Sequence, residues 1–251
     1  MSSNYTICES FTLPSKGLMY KRAFDPKFTL RSMTTAEEMK RLAPSESPYK
    51  VMCEIIEDCL TEKLKVPVYD LCLGDYQYML HKLRIVTYGS DYKIAVRCPV
   101  CGCIEEINYN LDEMEVFEYT DDIQNLLKIH LPQTKKDIEL RLQTPRILDD
   151  INSRKKELLK KSNNVLYDPS FMLTLTSLIK TVDGEELNPA ALENFITHLP
   201  MRDANILIQT ADQLNRKVGL NTNITCTCNQ CHHDIKTTFR ITSEFFGPSV
   251  Y

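Results

Sequence analysis

Hydrophobic and polar residues alternate one by one in two stretches more than a hundred residues apart. In the first, Tyr92, Ile94 and Val96 lead up to Cys98, and Ile107, Tyr109 and Leu111 follow. In the second, Thr222, Ile224 and Cys226 precede Cys228, and Thr237, Phe239 and Ile241 follow. Every second position is apolar or β-branched, as half-buried strands require. Each stretch therefore predicts a β-hairpin, the first from about Tyr92 to Leu111 and the second closing the chain. A constant offset of 130 carries one hairpin onto the other, so an approximate twofold should relate them.

Elsewhere the apolar spacing is mostly helical. After an extended segment (Phe11 to Tyr20, with a turn at Pro14-Ser15-Lys16-Gly17) and a short strand at Phe28 to Arg31, Thr34 and Glu37 form a capping box for a helix through about Leu42. Ser47 is placed to cap a second helix, with Pro48 at its first helical position. Its buried face is Val51, Met52, Ile55, Ile56, Cys59 and Leu60. Asp75 starts a third, with Tyr76, Met79, Leu80 and Leu83 as the stripe. Between the hairpins, Ile138, Leu140 and Leu142 predict one strand. Helices then start at Thr144-Pro145 (Ile147, Leu148, Ile151 inward), at Asp168-Pro169 through about Ile179, at Asn188-Pro189 (Leu192, Phe195, Ile196) and at Pro200 through about Arg216 (Ile206, Leu207). Asp183-Gly184 is a tight turn. The run from Arg154 to Lys161 reads as the solvated end of a helix.

The alternation acquires chemistry at the hairpin tips. Cys98-Pro99-Val100-Cys101 and Cys228-Asn229-Gln230-Cys231 are both C-x-x-C. One such loop wraps two thiolates around an ion, and two complete the tetrahedral four-cysteine site that holds structural zinc. The ligand set expected is Cys98, Cys101, Cys228 and Cys231, with one structural Zn2+ per chain. Cys103 and Cys226 leave room for that set to slide, and His232 or His233 could replace or add to it. Gly102 follows the first knuckle, where the turn tends to need positive φ, and His232 takes that place in the second. Cys8, Cys53, Cys59 and Cys72 read as buried thiols.

Composition narrows the classes. The 251 residues suit one large domain or two small ones. A net charge of −4 supplies no global field for nucleic acid or an anionic membrane. Met1 to Ser10 shows no signal-peptide pattern, and the longest apolar run, Phe171 to Ile179, is too short to span a membrane. Reduced, clustered cysteines suit a reducing compartment. No phosphate-binding glycine loop, H-E-x-x-H or G-x-S-x-G occurs, and Asp121-Asp122 and Asp149-Asp150 read as solvated loop or helix-start acids. The chain is therefore expected not to be an enzyme. A zinc-ribbon nucleic-acid binder is the alternative. Against it, Glu105 and Glu106 follow the first knuckle, 111–122 is acidic, and the second knuckle offers only Lys236 and Arg240.

Fold class is expected to be α+β: two zinc-knuckle hairpins forming a split four-cysteine zinc ribbon, with N-terminal helices and a helical insertion. The expected divisions are 1–91, 92–111, 112–219 and 220–251, with 92–111 and 220–251 forming one ribbon module.

The order of several segments resembles the baseplate hub proteins of T-even-type contractile-tailed bacteriophages. These segments are LPSKGLMY, FTLRSMTTAEE, YDLCLGDYQYMLHKLRIVTYG leading into CPVCG, SLIKTVDGEEL, FITHLP, and a second cysteine pair followed by a strand and FFGPS. The second knuckle departs from the family's CPxCG by reading CNQCH. The resemblance implies a structural hub subunit that acts through contacts with other tail baseplate or hub proteins. It would lie in the virion tail baseplate, and in host cytoplasm during assembly. A hub assembly factor absent from the mature particle fits the resemblance equally. Phe245-Phe246 either docks on a partner or folds back on its own core.

Overall fold

Strand β1 (Cys8–Thr12) pairs antiparallel with β2 (Lys27–Arg31) at the start of the chain. The computed structural model describes residues 6–161, 168–239, 241 and 243–246. Between the two strands the chain turns through Lys16 and Gly17, both at positive φ. Helix α1 (Thr35–Leu42) opens on the expected capping box. Glu37 accepts the Thr34 N–H at 2.7 Å and pairs with Arg31 at 2.6 Å. The Arg31 guanidinium holds its carboxyl down at about 2 against partial burial.

Helix α2 (Pro48–Cys59) begins at Pro48 as expected, but its cap is different. Ser47 makes no capping hydrogen bond. Asp149, a hundred residues further on, accepts the Lys50 N–H at 2.8 Å, the Tyr49 N–H at 3.4 Å and the Tyr69 hydroxyl at 3.1 Å. Asp149 is 2 % exposed, so it is no solvated acid. It supplies the anion that the positive end of α2 favours. Helix α3 (Leu73–Tyr88) begins at Leu73, not Asp75, and buries Tyr76, Met79, Leu80 and Leu83 as expected. Asp75 does not cap it. Its carboxylate accepts from the Ser15 N–H (2.9 Å), the Ser15 hydroxyl and the Tyr20 hydroxyl (2.5 Å each), holding the N-terminal turn against the helix. Cys53, Cys59 and Cys72 are buried, whereas Cys8 is exposed, contrary to expectation.

The first hairpin is β3 (Asp91–Arg97) and β4 (Ile104–Asn110). An intervening region follows, with β5 (Val116–Phe117), α4 (Ile123–Leu126), β6 (Lys128–His130), β7 (Asp137–Leu140), α5 (Pro145–Lys161), α6 (Ser170–Leu178), β8 (Ile179–Val182), α7 (Pro189–Thr197), α8 (Met201–Arg216) and β9 (Gly219–Leu220). The second hairpin is β10 (Asn223–Thr227) and β11 (Asp234–Thr238). A 3-10 turn, Ser243–Phe246, ends the described chain. The class is α+β, built from small antiparallel sheets among helices.

Two corrections fall in the intervening region. Only β7 was expected there, yet it is the middle of a three-stranded sheet ordered β6-β7-β8. The helix expected through Ile179 stops at Leu178, and Ile179 begins β8. Asn188 caps α7 as anticipated, its side chain accepting the Ala191 N–H at 2.9 Å. This region has its own core, with Ile138, Leu140, Leu175, Ile196 and Leu207 inside. It leaves and returns through the β5–β9 pair, Val116 opposite Leu220. There Gly219, at φ +113°, lies against Gly74 of α3, where a Cβ on Gly74 would stand 2.1 Å from the Val218 carbonyl. Only glycine fits at that crossing.

The larger core gathers the N-terminal strands, α2, α3 and both hairpins. Phe245 and Phe246 close it at 0 % and 2 % exposure, so this pair folds back on its own chain. Buried Arg84 donates to the Phe245 carbonyl at 3.0 Å, while the Phe245 ring packs on Tyr92 (5.4 Å) and Phe239 (5.5 Å). Gly247-Pro248-Ser249 lies outside the described residues.

The Asp149 contact yields a prediction. Asp149→Ala should destabilise the protein by about 1–2 kcal/mol in urea unfolding, because it removes the only cap of α2 seen among the described residues. Ser47→Ala should cost far less. Equal losses would return the cap to its local residue.

Candidate metal centre

The register of each hairpin places its cysteines. In β3–β4, Val96 stands opposite Glu105, and the Cys98 N–H donates to the Cys103 carbonyl at 2.8 Å. In β10–β11, Cys226 stands opposite Ile235, and the Cys228 N–H donates to the His233 carbonyl at 2.9 Å. The tips then turn alike. The Gly102 N–H reaches the Cys98 carbonyl at 3.0 Å, and the His232 N–H reaches the Cys228 carbonyl at 2.9 Å. Gly102 has φ 76° and His232 φ 57°, so histidine does take up the left-handed position that glycine fills in the first knuckle.

The two tips meet. Cys98 Sγ lies 3.6 Å from Cys231 Sγ, and Cys101 Sγ lies 3.6 Å from Cys228 Sγ. Cys103 joins them, 3.1 Å from Cys101 and 3.2 Å from Cys228. The sulfurs of Cys98, Cys101, Cys103 and Cys228 all lie within 4.8 Å of one another, close enough to bind one metal ion. Five of the six clustered thiols thus converge. Cys226 is half-buried beside them, in the position of Val96. The Cys98 and Cys228 side chains are buried with Val96 and Ile235 beneath the tips.

Backbone amides point at the sulfurs. The Cys231 N–H approaches Cys228 Sγ at 3.5 Å. The Cys101 N–H holds the Cys98 thiol below its usual range, and the Cys103 N–H, helped by the Cys103 thiol, brings Cys101 down to about 6. The His233 N–H makes the matching contact to Cys231, but desolvation and then the neighbouring sulfurs push that thiol up to about 12. Cys103 is pushed up, first by Cys101 and then by Cys228. Sulfurs this close compete for protons unless a cation neutralises them, and thiolates are the form that binds metal.

Glu105 is the site residue that sequence reasoning did not single out. Counted only as an acid beside the first knuckle, it is 8 % exposed. It accepts the Asn229 N–H at 3.0 Å and the Asn229 side-chain amide at 2.7 Å, and takes thiol contacts from Cys103 (3.3 Å) and Cys228 (3.4 Å). The Cys103 thiol and the Asn229 N–H hold its carboxyl below the ordinary carboxylate range. One carboxylate on the first hairpin thereby fastens the second knuckle. A signal was present: by the 130 offset Glu105 takes the place of buried Ile235, a polar residue at an inward position.

A family model described as T4 bacteriophage base plate protein matches residues 5–247. The chain belongs to that family. Comparison with curated proteins and with solved structures found no match. Membership makes this a bacteriophage baseplate protein, and it implies interaction with other phage tail proteins. The centre described above therefore lies in a member of a structural family.

Glu105→Ala and Asn229→Ala should each lower the melting temperature, and the double variant should lose clearly less than the two losses combined, since both remove one contact. Strict additivity would mean that the carboxylate and the amide do not act together.

Proposed function

We propose that this baseplate protein is a structural subunit of the tail hub, acting through protein–protein contacts, with its fold held by one zinc ion at Cys98, Cys101, Cys228 and Cys231. On this reading 92–111 and 220–251 form one split ribbon, and 112–219 is an insertion carried by it. The role is non-enzymatic, and the site is the virion tail baseplate. The family match over nearly the whole chain carries the assignment to the baseplate.

The choice of ligands rests on geometry. Four sulfurs placed tetrahedrally about 2.3 Å from zinc stand about 3.8 Å apart. The Cys98–Cys231 and Cys101–Cys228 separations of 3.6 Å suit neighbouring ligands of one ion. The Cys103 contacts of 3.1 and 3.2 Å are too short for that. The four chosen thiols also occupy equivalent positions in the two knuckles, each with a backbone N–H directed at its sulfur. Cys103 corresponds to His233 and has no such twin. Four thiolates close the coordination sphere, so the metal would be structural and leave no position for a substrate.

Metal analysis of purified protein should find one zinc per chain. Cys101→Ser and Cys231→Ser should each lose zinc and lower the melting temperature, whereas Cys103→Ser should keep both. Zinc lost from Cys103→Ser and retained by Cys231→Ser would instead assign the set Cys98, Cys101, Cys103 and Cys228. For the hub role, protein identification on purified mature particles should find the chain among the tail proteins. Its absence there, with its presence required during tail building, would make it an assembly factor.

A further inference from the structure

The two hairpins meet through side chains and leave their strand edges free. Among the described residues each pairs only with its own partner strand, β3 with β4 and β10 with β11, and no backbone ladder joins the two sheets. Register tells which backbone groups are spare. The Leu111 N–H bonds the Ser90 carbonyl and the Cys98 N–H bonds the Cys103 carbonyl, so Tyr92, Ile94 and Val96 direct their amides at β4. Asp91, Lys93, Ala95 and Arg97 direct theirs away from it. By the same count, set by Phe239 bonding Thr222 and Cys228 bonding His233, Asp234, Lys236 and Thr238 of β11 point away from β10. Among the described residues none of these seven outward residues has a backbone hydrogen-bond partner, and the two aspartates stand at the strand ends, outside the groove lining.

Both runs border one groove, of about 560 Å³, lined by residues 92–97 and 235–239 in unbroken sequence. Its floor is apolar, with Ile94, Val96, Ile224, Ile235 and Phe239. Its charged lining is Lys93, Arg97 and Lys236, without a carboxylate. No ion pair is formed by these three cations among the described residues, in a chain whose net charge is −4. Glu106 sits on β4, one strand removed.

We propose that the groove between β3 and β11 binds an extended, acidic segment of a partner protein by strand addition. Alternating free N–H and C=O groups match a peptide backbone, and the apolar floor takes every second side chain of the added strand. The three cations select acidic side chains on its other face. Nucleic acid fits less well. It has no backbone to match the two-residue repeat of the edge, and the groove aromatics Tyr92 and Phe239 pack against each other and on Phe245, leaving no stacking platform. This inference rests on the reading of the two knuckles as one metal-held module.

The test uses the full-length protein with its zinc content measured first. The probe is a fluorescent eight-residue peptide alternating glutamate with valine, followed by anisotropy. It should bind, and its lysine counterpart should not. Ala95→Pro deletes an amide of the free edge without touching a hairpin hydrogen bond, and should weaken binding about tenfold, as expected for loss of a backbone hydrogen-bonded contact. The same peptide N-methylated at alternate residues should bind as poorly to the unaltered protein, which keeps the test valid should the proline variant misfold. Lys93→Glu/Arg97→Glu/Lys236→Glu should abolish binding while keeping zinc. A zinc-loaded protein that ignores the peptide, that binds the N-methylated form equally, or that prefers a single-stranded oligonucleotide of equal charge overturns the groove assignment and leaves the metal reading standing. Protein without zinc overturns the metal reading instead.

Discussion

Five sulfur atoms from segments more than a hundred residues apart meet at the tips of two hairpins, and the rest of the architecture has to permit that meeting. Closing so long a loop costs entropy, though the cost rises only slowly with length. The closure is shared along the hairpins. At the tips the sulfurs approach and Glu105 holds Asn229. Midway, Val96 and Ile235 are buried together. At the base, Tyr92, Phe239 and Phe245 pack edge to face, with Arg84 fixing the tail that carries Phe245. The tips are the weakest part without a cation, since there the contacts set thiol against thiol. The base is an ordinary apolar core and needs none.

The intervening region is compatible with this closure because it starts and ends at one place. The β5–β9 pair brings Val116 beside Leu220. The chain between can therefore fold on its own core while the hairpins on either side remain neighbours. Two buried carboxylates extend the logic of distant caps. Asp149 reaches back to α2, and Asp203 of α8 accepts the Gln133 and Thr134 N–H groups at 3.2 and 2.8 Å. Each satisfies backbone donors that local sequence leaves open.

Much of this was legible because local rules acted alone. The hairpins followed from alternation, α1 from its capping box, α7 from Asn188-Pro189, and the left-handed His232 from its equivalence to Gly102. What escaped were features decided by tertiary context. Ser47 looks like a cap, but the cap comes from Asp149, which sequence proximity cannot reveal. Strands β6 and β8 have only three and four residues, too few for a period to emerge, and β8 continues α6 without a breaking residue. Glu105 was passed over because only its charge beside the first knuckle was counted. Its inward register, which the offset to Ile235 supplies, outweighed its chemistry. At the centre itself the spacing of the cysteines announced a cluster, but the presence of a fifth thiol within it depends on where β4 begins, at Ile104, directly after Cys103.

Joining the hairpins by side chains and sulfur, not by a ladder, has a consequence for their edges. A four-stranded sheet would have consumed the backbone groups of β3 and β11 in its own pairing. Here they stay open among the described residues, and open edges invite another strand from any chain, including a second copy. Lys93, Arg97 and Lys236 stand along them, with Asp91 and Asp234 at the strand ends. Charge is therefore mixed at the ends of the edges and cationic along the groove, so the length of the groove and not the bare edge chooses the occupant. An acidic strand meets all three cations only while the paired tips keep the two edges on one groove.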